Sequence, residues 1–158
     1  MGGTEDAVTV TREVEAAPEA VWQVLADGWA YAQWVVGASR VRAVDHDWPA
    51  EGSRIHHSFG LWPVVINDTT VVRTSNPPNE MALTARGWPA GEADVVITVK
   101  ADGPGQCTVR IAEDAVSGPG TLVPRMMRQA VIAPRNREAL RRLAYLSERR
   151  DGPEATTK

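Results

Sequence analysis

The order of apolar and polar residues first predicts a strand and then two short helices. Residues 7–14 alternate between apolar and polar side chains, as a half-buried strand does. The segment AAPEAVWQVLADGWAYAQWV follows. Its apolar residues have helical spacing, Pro18 suits a first helical turn, and Gly28 interrupts the pattern. The first part of the chain therefore predicts one strand followed by two short helices.

From residue 39 to residue 114 the pattern becomes that of short strands. The segments WPAEG, NPPNE, WPAGE and ADGPGQ are rich in turn-forming residues and separate the apolar runs. Tight turns favour antiparallel pairing, because parallel strands need long crossover connections. Six further strands are predicted, at residues 39–45, 53–61, 65–75, 80–86, 94–100 and 107–114.

The end of the chain has helical periodicity from residue 122 to residue 149. Pro134 falls inside this run, and we expect it to kink the helix or to split it in two. A sheet of seven strands must cover one face with apolar material, and this is the only predicted element long enough to do so. The sequence therefore predicts an α+β fold in which a curved, seven-stranded antiparallel sheet wraps around a long C-terminal helix. A ligand could lie in the gap between them.

These segments, in this order, resemble the START-like or SRPBCC superfamily of polyketide cyclase/dehydrase-like helix-grip proteins. The resemblance covers residues 8–150 and is carried by AAPEAVWQVLADGWAYAQWVVG, DWPAEGSRI, SNPPNEMALTAR, GWPAGEADVVITVKADGPGQCTVRIAEDAVSGPG and RNREALRRLAYLSERR. It implies a deep cavity between sheet and helix that takes hydrophobic or amphipathic small molecules. It does not imply one activity, since the superfamily includes lipid carriers as well as aromatase/cyclases.

Composition narrows the class of protein further. The chain has 158 residues, 43% of them hydrophobic, which suits one domain over residues 1–150 with a disordered tail at 151–158. No apolar run is long enough to span a bilayer, and no secretory signal is recognisable at the start. The single cysteine, Cys107, fits a reducing compartment. We therefore expect a cytoplasmic protein, either a monomer or a homodimer.

The adjacent histidines His56 and His57 are the first candidates for chemistry. Successive side chains of a strand point to opposite faces, so His57 should face the interior with Ile55 and Phe59 while His56 faces solvent. The pair therefore cannot chelate one metal ion, and we predict neither a metal site nor a cofactor. His57 is either a core histidine bonded to a neighbour or a polar group that contacts a ligand or transfers a proton.

Glu113 is the second ionisable residue that strand alternation directs inward. It shares a face with Val109 and Ile111 in the last strand. A buried carboxyl group beside a ligand is suited to acid–base chemistry, although Glu113 could instead lie at the cavity mouth or pair with an arginine. If the protein is an enzyme, His57 and Glu113 are the predicted catalytic residues, transferring protons in a cyclisation or dehydration.

The same alternation and the helical phase predict the residues that line the cavity. Met126 and Met127 open the long helix and either form an adaptable cavity wall or fill the core. The predicted ligand-binding residues are His57, Phe59, Leu83, Ile97, Ile111, Glu113, Met126 and Met127.

The arginines of the long helix do not predict a nucleic-acid interface. Helical spacing scatters them around the outer faces, no aromatic residues interleave with them, and the net charge is −3. The apolar stripe passes close to Asn136 and Arg137, so one of these two should reach inward.

Three functions remain open from the sequence. The first is a binding domain that encloses a hydrophobic or aromatic, lipid- or polyketide-like molecule. The second is an aromatase/cyclase-type enzyme that uses His57 and Glu113. The third is a protein-interaction module without a ligand, which predicts a contiguous exposed apolar patch in place of a cavity.

Overall fold

Seven antiparallel strands form one sheet in the computed structural model, which describes residues 7–87 and 91–151. The strand order is β1-β7-β6-β5-β4-β3-β2, so the first two strands in sequence lie at opposite edges. Register shifts in the β2–β3, β4–β5 and β6–β7 pairs help the sheet to bend. The strands are β1 (Val8–Val14), β2 (Ala38–Val44), β3 (Arg54–Leu61), β4 (Val64–Asn76), β5 (Glu80–Gly87), β6 (Gly91–Gly103) and β7 (Gln106–Ser117).

Two short helices lie between β1 and β2, as the sequence predicts. Helix α1 (Pro18–Ala26) begins with its proline in the first turn and Glu19 beside it, where the positive end of the helix dipole favours a carboxylate. A 3-10 turn at Gly28–Ala30 leads into α2 (Tyr31–Trp34). Both Tyr31 and Trp34 are buried, so this single helical turn places two aromatic rings against the sheet.

The long helix α3 (Arg125–Arg150) closes the fold. Pro134 lies within it, and the helix runs on in one piece, so of the two effects expected of Pro134 the division into two helices does not occur. Pro134 and Ala130 are both exposed, and water can therefore bond the Ala130 carbonyl group that a proline nitrogen cannot reach. The α+β helix-grip fold predicted from the sequence is confirmed.

The core lies between the sheet and the C-terminal half of α3. Leu140, Leu143 and Ala144 of α3 are buried against β1 and α1. The end of α3 is also tied to α1 by polar contacts, since Arg150 forms an ion pair with Asp27 at 2.9 Å. The first half of α3 is largely exposed, and a cavity lies between it and the sheet.

Three further sequence-based expectations concern membrane spans, the C-terminal tail and the turn WPAGE. In the described ranges, no helix is both long and apolar enough to cross a membrane. Most of the predicted tail at 151–158 falls outside the described residues, as does Trp88 in the predicted turn WPAGE.

Candidate functional site

A cavity of about 540 Å³ lies between the sheet, α2 and the first half of α3. Its walls are mostly apolar. Strands β5 to β7 contribute Leu83, Ala85, Ala93, Val95, Ile97, Ile111 and Ala115; the segment at α2 contributes Tyr31, Trp34, Val35 and Val36; and the region of α3 contributes Val123, Met127, Val131, Ile132 and Ala139.

The space arises because side chains become smaller along three paired strands. Cross-strand pairing places Met81, Ile97 and Ile111 in one row, and all three are buried. The next row contains Leu83, Val95 and Glu113, and the third contains Ala85, Ala93 and Ala115. Beyond it Gly87 pairs with Gly91. The sheet surface therefore recedes from α3 toward the end of these strands, and the cavity opens over the alanine row.

A chain of buried polar groups lies behind the aromatic wall of the cavity. The Tyr31 hydroxyl is 3.0 Å from Thr70 Oγ1, which is 2.8 Å from Nε2 of His57. The His57 ring is stacked on Tyr31, with 5.2 Å between centroids, and meets the edge of Phe59 at 4.7 Å. Thr70 carries one hydroxyl proton, so it donates to at most one of its two partners and accepts from at least one.

Both ends of this chain are uncharged at neutral pH, and burial further disfavours their charged forms. Desolvation lowers the pKa of His57 to about 4. Desolvation likewise raises the pKa of Tyr31 to about 12, against the opposing effect of its hydrogen bond to Thr70. Nδ1 of His57 is buried without a hydrogen-bond partner. In this arrangement His57 is a neutral, tightly packed ring.

Glu113 lies in the cavity wall and is held by two residues of α3. Arg135 bonds both carboxylate oxygens through the same terminal nitrogen. Asn136 Nδ2 donates a third hydrogen bond to Oε2 at 2.8 Å. Glu113 is 8% exposed and Asn136 is 6% exposed, so the cluster forms a polar patch inside an apolar cavity.

The other charged groups of the described cavity wall also have partners. Arg128 donates to Asp114 at 2.9 Å, although its Nε atom is buried without a bond. Arg86 forms an ion pair with Glu92 at 2.8 Å at the exposed end of the strands. The prediction that the helix arginines face solvent is therefore wrong for Arg128, whose side chain is only 14% exposed.

The structure separates the predicted site residues into two groups. Six of them line the cavity: Phe59, Leu83, Ile97, Ile111, Glu113 and Met127. His57 does not; it lies behind the rings of Tyr31 and Phe59 and is 0% exposed. Met126 does not line it either and is 85% exposed, because helical rotation turns it away from its neighbour Met127.

The structure also brings residues to the site that sequence patterns did not assign there. Tyr31, Trp34, Arg128 and Arg135 all line the cavity. Of the pair Asn136 and Arg137, the first is buried in the cavity wall and the second is exposed. The apolar stripe of α3 was the signal that pointed to this pair, whereas α2 was too short to show a stripe of its own.

Metal-binding side chains do not converge within the described residues. There, no group of three or more histidine, cysteine, aspartate or glutamate side chains is arranged to hold an ion. The ionisable groups of the cavity wall bond to protein partners instead.

A bent antiparallel sheet, a terminal helix and an apolar cavity between them define a START-like helix-grip domain. The family model described as polyketide cyclase / dehydrase and lipid transport matches residues 5–148. The chain therefore belongs to this family. No curated protein matches the chain.

Solved structures with the same fold include an aromatase/cyclase. The Zhui aromatase/cyclase from Streptomyces sp. R1128 has a TM-score of 0.72 at 16% identity, covering 96% of this chain and 98% of that one. A START superfamily protein from Mycobacterium smegmatis has a TM-score of 0.71 at 17% identity, covering 90% and 97%. Protein CV1439 from Chromobacterium violaceum has a TM-score of 0.70 at 20% identity, covering 90% and 97%. At these identities the likeness concerns the fold alone.

Proposed function

We propose that the protein binds one hydrophobic or aromatic small molecule, lipid- or polyketide-like, in the cavity between the sheet and α3. The observation that carries this proposal is the apolar cavity of about 540 Å³. Pockets for small organic ligands commonly enclose roughly 300–1,000 Å³ and have apolar walls with a few polar groups. Burial of a ligand's apolar surface against these walls would supply most of the binding free energy.

The aromatic side of the cavity supports a ligand with a flat ring. Trp34 and Phe59 line the cavity with Tyr31, whose ring packs edge-on against Trp34 at 5.7 Å between centroids. Aromatic rings stabilise one another in edge-on and offset stacked arrangements. The alanine row of β5 to β7 lies in the same cavity and leaves room for such a ring.

The similar proteins are compatible with binding and with catalysis. The family description names cyclases, dehydrases and lipid transport together, and the Zhui protein is an aromatase/cyclase. A shared fold does not decide between these activities. The choice therefore depends on the groups that reach the cavity.

The cyclase-type alternative rests on His57 and Glu113 acting on one substrate. Glu113 lines the cavity, which favours this alternative, but its oxygens are bonded to Arg135 and Asn136. His57 lies outside the lining, and its Nε2 is bonded to Thr70. Binding is the better-supported function because it needs no movement of these groups.

We also propose a cytoplasmic protein that acts as a monomer or a homodimer. Cys107 is the single cysteine of the chain, so no internal disulfide can form. Burial raises the pKa of its thiol to about 11, which keeps it protonated and unreactive.

A fluorescent probe tests the binding proposal. N-phenyl-1-naphthylamine is uncharged and fluoresces strongly when it leaves water for an apolar site, so titration into the protein should give a saturable signal. Ala93→Phe places a ring at the centre of the alanine row and should weaken binding at least about tenfold, because it fills the cavity.

The matched control for this experiment lies on the same strand. Ala101 is exposed and is not part of the cavity wall, so Ala101→Phe should bind the probe as the unchanged protein does. Equal binding by both folded variants, or no binding by the unchanged protein, would contradict the proposal.

A further inference from the structure

The polar patch in the cavity carries an acceptor atom to which no side chain or backbone group of the described residues donates. Asn136 Nδ2 donates to Glu113 Oε2. Glu113 is ion-paired with Arg135, and an ionised carboxylate only accepts hydrogen bonds. The amide nitrogen of Asn136 must therefore face Glu113, which fixes the amide orientation and turns Oδ1 the other way.

The amide oxygen of Asn136 remains open to the cavity. Asn136 is 6% exposed and lines the cavity. Among the residues that the structure describes, its side chain makes no hydrogen bond besides the one from Nδ2 to Glu113. Two side-chain atoms of the described residues are fully buried without a hydrogen-bond partner, His57 Nδ1 and Arg128 Nε. Oδ1 of Asn136 also lacks a partner there but is not one of these two, so it is not fully buried. It is thus accessible, and the cavity is the space that its buried side chain faces.

Arg135 places hydrogen-bond donors beside this acceptor. One terminal nitrogen of its guanidinium group holds Glu113, while the group carries five N–H donors in all. Arg135 lines the cavity and is 38% exposed, so further N–H groups are available. The two neighbouring residues therefore offer an acceptor and a donor to the same region of the cavity.

The charges of the described wall disfavour an anionic ligand. Each of its three arginines already has a carboxylate partner: Arg86 has Glu92, Arg128 has Asp114, and Arg135 has Glu113. No uncompensated cation is left among them to offset the desolvation of a ligand carboxylate or phosphate. A hydroxyl group is uncharged, and it both donates and accepts.

We propose that the ligand is an uncharged aromatic molecule with a hydroxyl group that donates to Asn136 Oδ1 and accepts from Arg135. This inference rests on the proposed function and specifies the ligand class for the same cavity. The apolar body would lie along the alanine row and the aromatic wall, and the hydroxyl group would bond to the polar patch.

Two naphthalene compounds of the same skeleton test this assignment. 2-Naphthol carries a hydroxyl group that is not ionised at pH 7, and 2-methylnaphthalene carries a methyl group in its place. Their dissociation constants are measured by displacement of N-phenyl-1-naphthylamine from the unchanged protein and from Asn136→Leu. The ratio of the two constants should shift about tenfold against 2-naphthol in the variant, as expected when a hydrogen bond to a buried group is lost.

Two further variants serve as a second test and as a control for this comparison. Asn136→Ser removes the amide oxygen but keeps the position polar, and it should shift the ratio in the same direction if Asn136→Leu does not fold. Gln129 is exposed on the same helix and is not part of the cavity wall, so Gln129→Leu should leave the ratio unchanged.

The outcomes separate the inference from the proposed function. If the fluorescent probe binds but the ratio in both Asn136 variants equals the ratio in the unchanged protein, the assignment to Asn136 is wrong and the binding function stands. If the probe binds and neither naphthalene compound displaces it, the ligand class is wrong. If the probe itself does not bind the unchanged protein, the proposed function fails and the inference fails with it.

Discussion

His57 shows how far strand alternation predicts a single residue. Alternation along β3 places it on the interior face, and it is fully buried there. Its partners could not be predicted, because Thr70 follows it by 13 residues and Tyr31, the other partner of Thr70, precedes Thr70 by 39 residues. Only the register of β3 with β4, together with the position of α2, brings the three side chains together.

The buried His57 predicts a loss of stability in weak acid. Its pKa is about 4 in the folded protein, compared with 6.5 when unperturbed, so the unfolded chain binds the proton more tightly. The contribution of His57 is therefore complete above pH 6.5 and is lost as the pH falls from 6.5 toward 4. We expect this residue to account for about 3 kcal/mol of the free energy of unfolding over that range.

Urea unfolding at several pH values, for the unchanged protein and for His57→Gln, measures this contribution. The variant lacks the titrating group, so its free energy of unfolding should fall less between pH 7 and pH 4.5. Parallel pH profiles for the two proteins would show that His57 is not neutral and buried as described.

At the scale of elements, the strands were easier to predict than the surface they form. Alternation located all seven strands but began β6 too late and ended both β6 and β7 too early, since the structure extends them to Gly91–Gly103 and Gln106–Ser117. The missed parts include Ala93 and Ala115, whose small side chains give little hydrophobic signal. These residues belong to the row that opens the cavity, so the pattern was weakest where the cavity forms.

The helix α3 likewise combines a predictable half with an unpredictable one. Its C-terminal half has a clear apolar stripe, and Leu140, Leu143 and Ala144 are buried. Its first half contains exposed apolar residues and two arginines, Arg128 and Arg135, whose side chains line the cavity. The direction of these two side chains depends on the carboxylates of Asp114 and Glu113, with which they pair. The periodicity of α3 cannot predict this direction, because Glu113 and Asp114 lie on another element, β7.

A pair of substitutions tests this division of α3. Leu143 is 0% exposed, so Leu143→Ala should lower the free energy of unfolding by about 3 kcal/mol through lost burial and a new void. Val131 is 70% exposed, and Val131→Ala should cost less than about 0.5 kcal/mol. Chemical denaturation measures both; similar costs would contradict the division into an anchored half and an exposed half.

At the scale of the whole molecule, the sequence predicted the architecture and the family. The order of strands, short helices and long helix was sufficient, because only the long helix could cover the sheet. The shape and polarity of the ligand cavity could not be predicted in the same way. The cavity depends on receding rows of side chains from three strands and on three arginine–carboxylate pairs. Two of these pairs, Arg128–Asp114 and Arg135–Glu113, join α3 to β7 across many residues of sequence.

The proposed ligand site and the interaction-module hypothesis predict contacts at different residues. Exposed apolar residues are present near the cavity, including Leu122 at 84% and Met126 at 85% exposure. They would be the contact surface if the third hypothesis held, whereas Val131 and Met127 of the same region line the cavity. Binding inside the cavity and binding on the surface involve different methyl groups.

Methyl NMR spectra recorded during titration with N-phenyl-1-naphthylamine test the central claim most directly. With isoleucine, leucine and valine methyl groups labelled, we expect saturable shift changes at Leu83, Ile97 and Ile111, and intermolecular contacts from the probe to them, with little change at Leu140 or Leu143. Changes confined to exposed methyl groups such as those of Leu122 and Val64, or no changes at all, would contradict binding in the cavity.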